Sequence, residues 1–121
     1  MRLFAALLVI SALALAHSGT ADAHAFLRHA VPLVGSTIPT APAAVTLDYS
    51  EALEPRFSSI KVQDAHGARV DKGDVHVAPN NPKQLIVSLS PLPPGTYTVE
   101  WRVLSVDTHH TEGDFTFTVR P

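Results

Sequence analysis

From residue 45 onward, apolar side chains alternate with polar ones, the period-2 signature of strands that bury one face. Val45, Leu47 and Tyr49 alternate with Thr46, Asp48 and Ser50 after a proline-rich approach, Ile38-Pro39-Thr40-Ala41-Pro42. Ile60 and Val62 alternate with Lys61 and Gln63, and Asp64-Ala65-His66-Gly67 then turns the chain towards Ala68-Arg69-Val70, which predicts a hairpin. Val75-His76-Val77 reads as another short strand, closed by Asn80-Asn81-Pro82-Lys83, and Leu85, Val87 and Leu89 carry the next. Pro93-Pro94-Gly95 makes a hard turn. Beyond it Tyr97, Val99, Trp101 and Val103 form one face of the longest strand, opposite Thr98, Glu100 and Arg102. Phe115, Phe117 and Val119 form the inner face of the last strand. With a first strand after His24, about seven or eight short strands predict an all-β chain, an antiparallel Greek-key sandwich or barrel. Trp101 and the inner Phe residues read as core. Glu100 and Arg102 read as cross-strand surface charges.

The N-terminal residues break this pattern. Arg2 supplies a positive start, Leu3 to Ala16 an apolar stretch, Ser18-Gly19-Thr20 a polar spacer, and Ala21-x-Ala23 a small-residue cleavage pattern. The apolar stretch falls short of the roughly 20 residues that span a bilayer. Residues 1–23 therefore read as a secretory signal peptide, which points to an oxidising compartment, and residues 24–121 as one small domain. A rival cut after Ala16 would fall inside the apolar stretch and ranks below it. With Arg2 and Asp22 removed, 8 Lys and Arg face 10 Asp and Glu, so the formal charge stays at -2 with both signs scattered. That excludes the basic stripe of a nucleic-acid binder, and the domain reads as a monomer that does not insert in a membrane.

Composition narrows the chemistry further. Cysteine is absent and the one methionine, Met1, leaves with the signal. Thiolate and thioether metal sites are excluded, so any metal site must use nitrogen and oxygen. Cleavage after Ala23 would give His24 two donors on one residue, its free α-amine and its imidazole Nδ1, once the amine loses its proton. The connection Ser105-Val106-Asp107-Thr108-His109-His110-Thr111-Glu112-Gly113 holds further candidates. If the strand continues past Val103, Asp107 and His109 share the parity of Trp101 and project to one side, with His110 on the other. Together with a terminal His24 they supply an amine, two imidazoles and a carboxylate. Four such donors in a plane suit Cu(II), with Ni(II) as the geometric competitor and Zn(II) preferring a tetrahedron. A filled plane favours holding the ion over using it in catalysis.

Each of these residues also has a plainer reading. His24 alone reads equally as a ligand or as the first residue of an exposed terminus. Asp107 reads as a ligand or as a turn residue bonded to its own loop, and His110 replaces His109 if the loop shifts by one residue. His29, His66 and His76 read as exposed side chains. Glu51 reads as an exposed acid at a strand end.

Several motifs carry a resemblance. They are His24-Ala25-x-Leu27 after a signal, Leu47-x-Tyr49-Ser50-Glu51, Phe57-Ser58-Ser59, Pro94-Gly95-Thr96-Tyr97-x-Val99-x-Trp101-Arg102-Val103, Ser105-x-Asp107-x-His109 and Gly113-x-Phe115-x-Phe117. Together they resemble the CopC family of periplasmic copper-resistance proteins over essentially the whole mature domain. The resemblance implies a cupredoxin-like or immunoglobulin-like barrel, not an enzyme, that binds one Cu(II) and works beside a CopD-like inner-membrane copper permease in copper resistance or homeostasis. It makes His24 a bidentate ligand, completes the site with Asp107 and His109, and sets Glu51 near the metal or its axial water. The family's Pro-x-x-Gly is present as Pro32-Leu33-Val34-Gly35, whereas Tyr49 replaces the commoner Phe and a methionine-rich Cu(I) site is missing. Two other classes compete. A copper oxygenase resembling the polysaccharide monooxygenases would need an open equatorial position, which Asp107 would fill. A metal-free sandwich module for adhesion or assembly would show no response to copper.

Overall fold

The computed structural model describes residues 25–121, so the expected signal peptide and His24 lie outside the described residues. Eight strands form: β1 (Leu27–Val31), β2 (Thr37–Ile38), β3 (Ala44–Tyr49), β4 (Ser59–Gln63), β5 (His76–Ala78), β6 (Asn81–Ser88), β7 (Gly95–Leu104) and β8 (His110–Val119). A single 3₁₀ turn, Pro55–Phe57, precedes β4. They make two four-stranded sheets with orders β1-β3-β6-β5 and β2-β8-β7-β4, packed as a sandwich. All pairings are antiparallel except the short parallel pair of β2 with β8.

The alternation in the sequence becomes the core. Val45, Leu47 and Tyr49 of β3 face Ile60 and Val62 of β4, Tyr97, Val99, Trp101 and Val103 of β7, and Phe115, Phe117 and Val119 of β8 across one interior. The Tyr49 and Trp101 rings meet edge to face at 5.3 Å, and Tyr97 stacks on Phe117 at 5.4 Å. Gly113 lies opposite Trp101, where a Cβ would come within 2.6 Å of the indole. This β8 position therefore has to be glycine for the indole to lie flat.

Three local expectations change. The hairpin expected over Ile60–Val70 shrinks to a single bridge between Gln63 and Arg69, after which the chain crosses to bridge Asp71 with Leu89 of the other sheet. Asp71 takes over as partner: its carboxylate accepts from Val62 N–H at 2.9 Å, Gly73 N–H at 3.0 Å and Arg69 Nε at 2.8 Å. The turn expected over Asn80–Lys83 is tighter, because β6 already starts at Asn81. Pro82 sits at the strand start, where its missing N–H costs little, and its carbonyl accepts from Leu53 N–H at 3.0 Å. β2 was not visible in the pattern, since its two residues are held by β8 alone, through Thr118 N–H on the Ser36 carbonyl at 2.8 Å and Arg120 N–H on the Ile38 carbonyl at 2.9 Å.

Asp71 gives the fold an acid dependence. Desolvation pushes its carboxyl up, but the hydrogen bonds from Arg69, Val62 and Gly73 and the nearby guanidinium together outweigh it and hold the carboxyl below its ordinary value. A carboxyl whose folded value lies below its unfolded value of about 3.9 stabilises the fold above that pH, and the contribution is lost as pH falls through the folded value. The melting temperature is therefore expected to fall as pH drops below about 4. Asp71→Asn should melt several degrees lower at neutral pH and show a flatter acid limb. A variant with the parental acid limb would show that Asp71 does not drive the effect.

Candidate metal centre

β7 and β8 pair without interruption from Gly95 with Val119 to Leu104 with His110, which leaves Ser105 to His109 as the loop at one end of the sandwich. The strand does not continue past Val103 far enough for parity to place Asp107 and His109. A tight turn does so instead: Thr108 N–H donates to the Ser105 carbonyl at 2.9 Å, Ser105 N–H to the His109 carbonyl at 3.0 Å, and Thr108 takes a left-handed φ of 72°. The outcome still brings the two side chains together, with Asp107 Oδ2 at 3.4 Å from His109 Nδ1 and both partly exposed. His110 is the first residue of β8 and lies on the outer face, in a groove lined by Phe57, Arg102 and Glu112.

Two other segments reach the same end. β1 pairs with β3 from Leu27 opposite Tyr49, so Ala25 and Phe26 lie beside Ser50 and Glu51. Phe26 N–H donates to Ser50 Oγ at 2.8 Å and Ser50 N–H returns to the Phe26 carbonyl at 2.9 Å. The Thr111 hydroxyl donates to the Ala25 carbonyl at 2.8 Å, which fastens the residue after His24 to the strand that starts one residue after His109. The 50–58 connection closes from the third side: Val106 N–H donates to the Ala52 carbonyl at 3.0 Å, Glu54 N–H to the Leu104 carbonyl at 2.8 Å, and Leu104 N–H to Ser58 Oγ at 3.1 Å. Glu51 is half-buried between Ser50 and Ala52, whose backbones make these two sets of bonds.

Asp107 is prepared as an anion. The Ser105 hydroxyl donates to its Oδ1 and is the main reason its carboxyl lies below the ordinary range; partial desolvation opposes this, and the His109 ring adds to the lowering. An ionised carboxylate beside an imidazole is a two-donor start for a hard or borderline cation. Among the described residues no group of three His, Cys, Asp or Glu gathers around one point, so a complete site needs donors from outside them. His29, His66 and His76 are exposed, and none of them joins such a group. The Tyr49 hydroxyl is buried without a hydrogen-bond partner among the described residues, and burial pushes its pKa up.

Sequence reasoning passed over three residues that build this end: Ser50, Thr111 and Ser105. For Ser105 a signal existed. It continues the inward parity of Tyr97 to Val103 and is the one fully buried polar residue in that row, and a buried hydroxyl on an apolar face has to find partners. Ser50 and Thr111 act through chain segments distant in sequence, so no local pattern marks them.

Comparison with known proteins now bears on what this end of the sandwich is for. The CopC domain family model matches residues 27–120. Protein YobA of Escherichia coli K12 is 41% identical over 99 residues, covering 81% of this chain and 80% of that protein. Copper resistance protein C of Pseudomonas syringae pv. tomato is 38% identical over 124 residues, covering 98% of this chain and 92% of the relative. Copper transport protein CutJ of Bacillus subtilis is 33% identical over 101 residues, which cover 83% of this chain but 19% of that longer protein. The crystal structure of CopC from Methylosinus trichosporium OB3b superposes with a TM-score of 0.76 at 36% identity, covering 81% of this chain and 95% of that one. Two of these relatives are named for copper resistance and copper transport. A match along nearly the whole described chain, in sequence and in fold, means that this protein belongs to the CopC family of copper-resistance proteins.

Proposed function

We propose that the mature protein starts at His24, resides in the periplasm, and holds one Cu(II) as cargo. In this reading the His24 amine and imidazole chelate the ion, Asp107 and His109 complete the plane, and Glu51 stands close by. The observation that carries it is the Thr111 to Ala25 hydrogen bond of 2.8 Å beside the facing pair Asp107 and His109. His24 is one peptide unit, about 3.8 Å between Cα atoms, from a residue already fixed at this loop. Nitrogen and oxygen donors in a plane favour Cu(II) above the other divalent first-row ions. A full plane leaves no equatorial place for oxygen, which speaks for storage and delivery.

The recipient in this reading is a CopD-like permease of the inner membrane. Its support is the resemblance itself and the occurrence of the same domain as 19% of a longer protein named for copper transport. The protein acts as a monomer that sequesters copper or hands it on.

Thermal melting of protein starting at His24 tests the reading. A ligand that binds the folded state alone stabilises by about 4 kcal/mol at a thousandfold excess over its dissociation constant, so buffered Cu(II) is expected to raise the melting temperature by more than about 10 °C in a domain of this size. An unchanged melting temperature would overturn copper binding as the function.

A further inference from the structure

We propose that Ser105 is a positioning residue for the copper ligands, an inference that rests on the ligand set proposed above. Ser105 is fully buried at the inward-facing position just past the end of β7. Its hydroxyl has one proton, and three groups lie within reach: Asp107 Oδ1, the His109 carbonyl at 3.3 Å and the His109 N–H, also at 3.3 Å. The closest is Asp107 Oδ1, so the hydroxyl donates there and its lone pairs accept from His109 N–H. One buried oxygen thus grips the side chain of one proposed ligand and the backbone of the other.

The consequence is an orientation. With Oδ1 engaged by Ser105, Oδ2 is the oxygen turned to His109 Nδ1 at 3.4 Å. The carboxylate presents that one oxygen to the metal, and its rotation is frozen before the ion arrives. Groups that orient a metal ligand in this way typically change affinity by about 10- to 100-fold when removed. A merely structural serine would close the loop through its backbone bonds to His109 and Thr108 and leave affinity alone.

The test uses protein starting at His24, with Cu(II) affinity measured by competition against a chromophoric chelator and the copper-loaded forms examined by electron paramagnetic resonance. Ser105→Ala is expected to lower affinity by about tenfold or more and to shift the copper hyperfine pattern, while Ser105→Thr keeps both near the parental values. In an Asp107→Ala background, Ser105→Ala should have a smaller further effect on affinity than in the parental protein, because the carboxylate it positions is gone and only its hold on the His109 backbone remains to be lost. A Ser105→Ala protein that melts lower but keeps parental affinity and spectrum would overturn the inference and leave the ligand set standing. An Asp107→Ala protein with parental affinity would overturn the ligand set, and this inference with it. Should Ser105→Ala fail to fold, Ser105→Thr against Ser105→Val repeats the comparison with side chains of one shape that differ in the hydroxyl.

Discussion

Protein starting at His24 is expected to lose Cu(II) affinity on the order of a thousandfold, about 4 kcal/mol, when its α-amine is acetylated. Acetylation turns the α-amine into an amide and adds no new amine. An amine with a pKa of about 7.7 to 8.0 gives up its proton readily to a metal near neutral pH, whereas an amide nitrogen with no amine beside it to anchor the metal does not. The chelate ring through amine and Nδ1 is then lost, leaving the imidazole as a single donor. The fold should not notice, since Ala25 keeps its bond to Thr111 and Phe26 its pair of bonds with Ser50. Competition with a chromophoric chelator reads the difference directly. Equal affinity in the two forms would mean that the terminal amine takes no part and that cleavage after Ala23 has no bearing on the site.

Replacing Asp107 and His109 together by alanine is expected to abolish high-affinity Cu(II) binding while the apoprotein keeps its melting temperature to within a few degrees. Both side chains are partly exposed, 37% for Asp107 and 47% for His109, and exposed substitutions away from packing change stability by about 0.5 kcal/mol at most. The one buried group they would leave is the Ser105 hydroxyl. It has a substitute acceptor in the His109 carbonyl at 3.3 Å, which a side-chain change does not remove. Titration of the double variant with copper, beside a melting curve, separates the two effects. Retained tight binding in a folded double variant would sink this ligand set.

The strands were legible because their core positions obey a strict period of two. Tyr97, Val99, Trp101 and Val103 are buried as their alternation requires, as are Phe115, Phe117 and Val119. The loop was legible for a different reason. Asp107 and His109 were picked as a pair by strand parity, yet the structure meets them in a turn closed on Ser105 with Thr108 at positive φ. The two side chains still lie 3.4 Å apart, because the turn brings the Asp107 carboxylate back onto the Ser105 hydroxyl beside the His109 ring. The expected hairpin at Ile60–Val70 fared less well, since Asp71 offers its carboxylate to the Val62 N–H that a partner strand would have used. Sequence alternation cannot register such a substitution, because a side-chain acceptor leaves no periodic trace.

By itself, the sequence determined the all-β class, the inward and outward faces of β3, β4, β7 and β8, and the exclusion of thiolate ligands, because each follows from residue type and spacing alone. It also carried the family resemblance, since those motifs are local words in the chain. Only the tertiary structure decided that Ala25, Ser50 and Thr111 meet at one end of the sandwich, that His110 turns to the outer face, and that Ser105 holds Asp107 and His109 from beneath. The Thr111 to Ala25 bond joins residues 86 apart. Contacts at that separation depend on which strands pair and in which register, and the buried faces of both sheets set that register together.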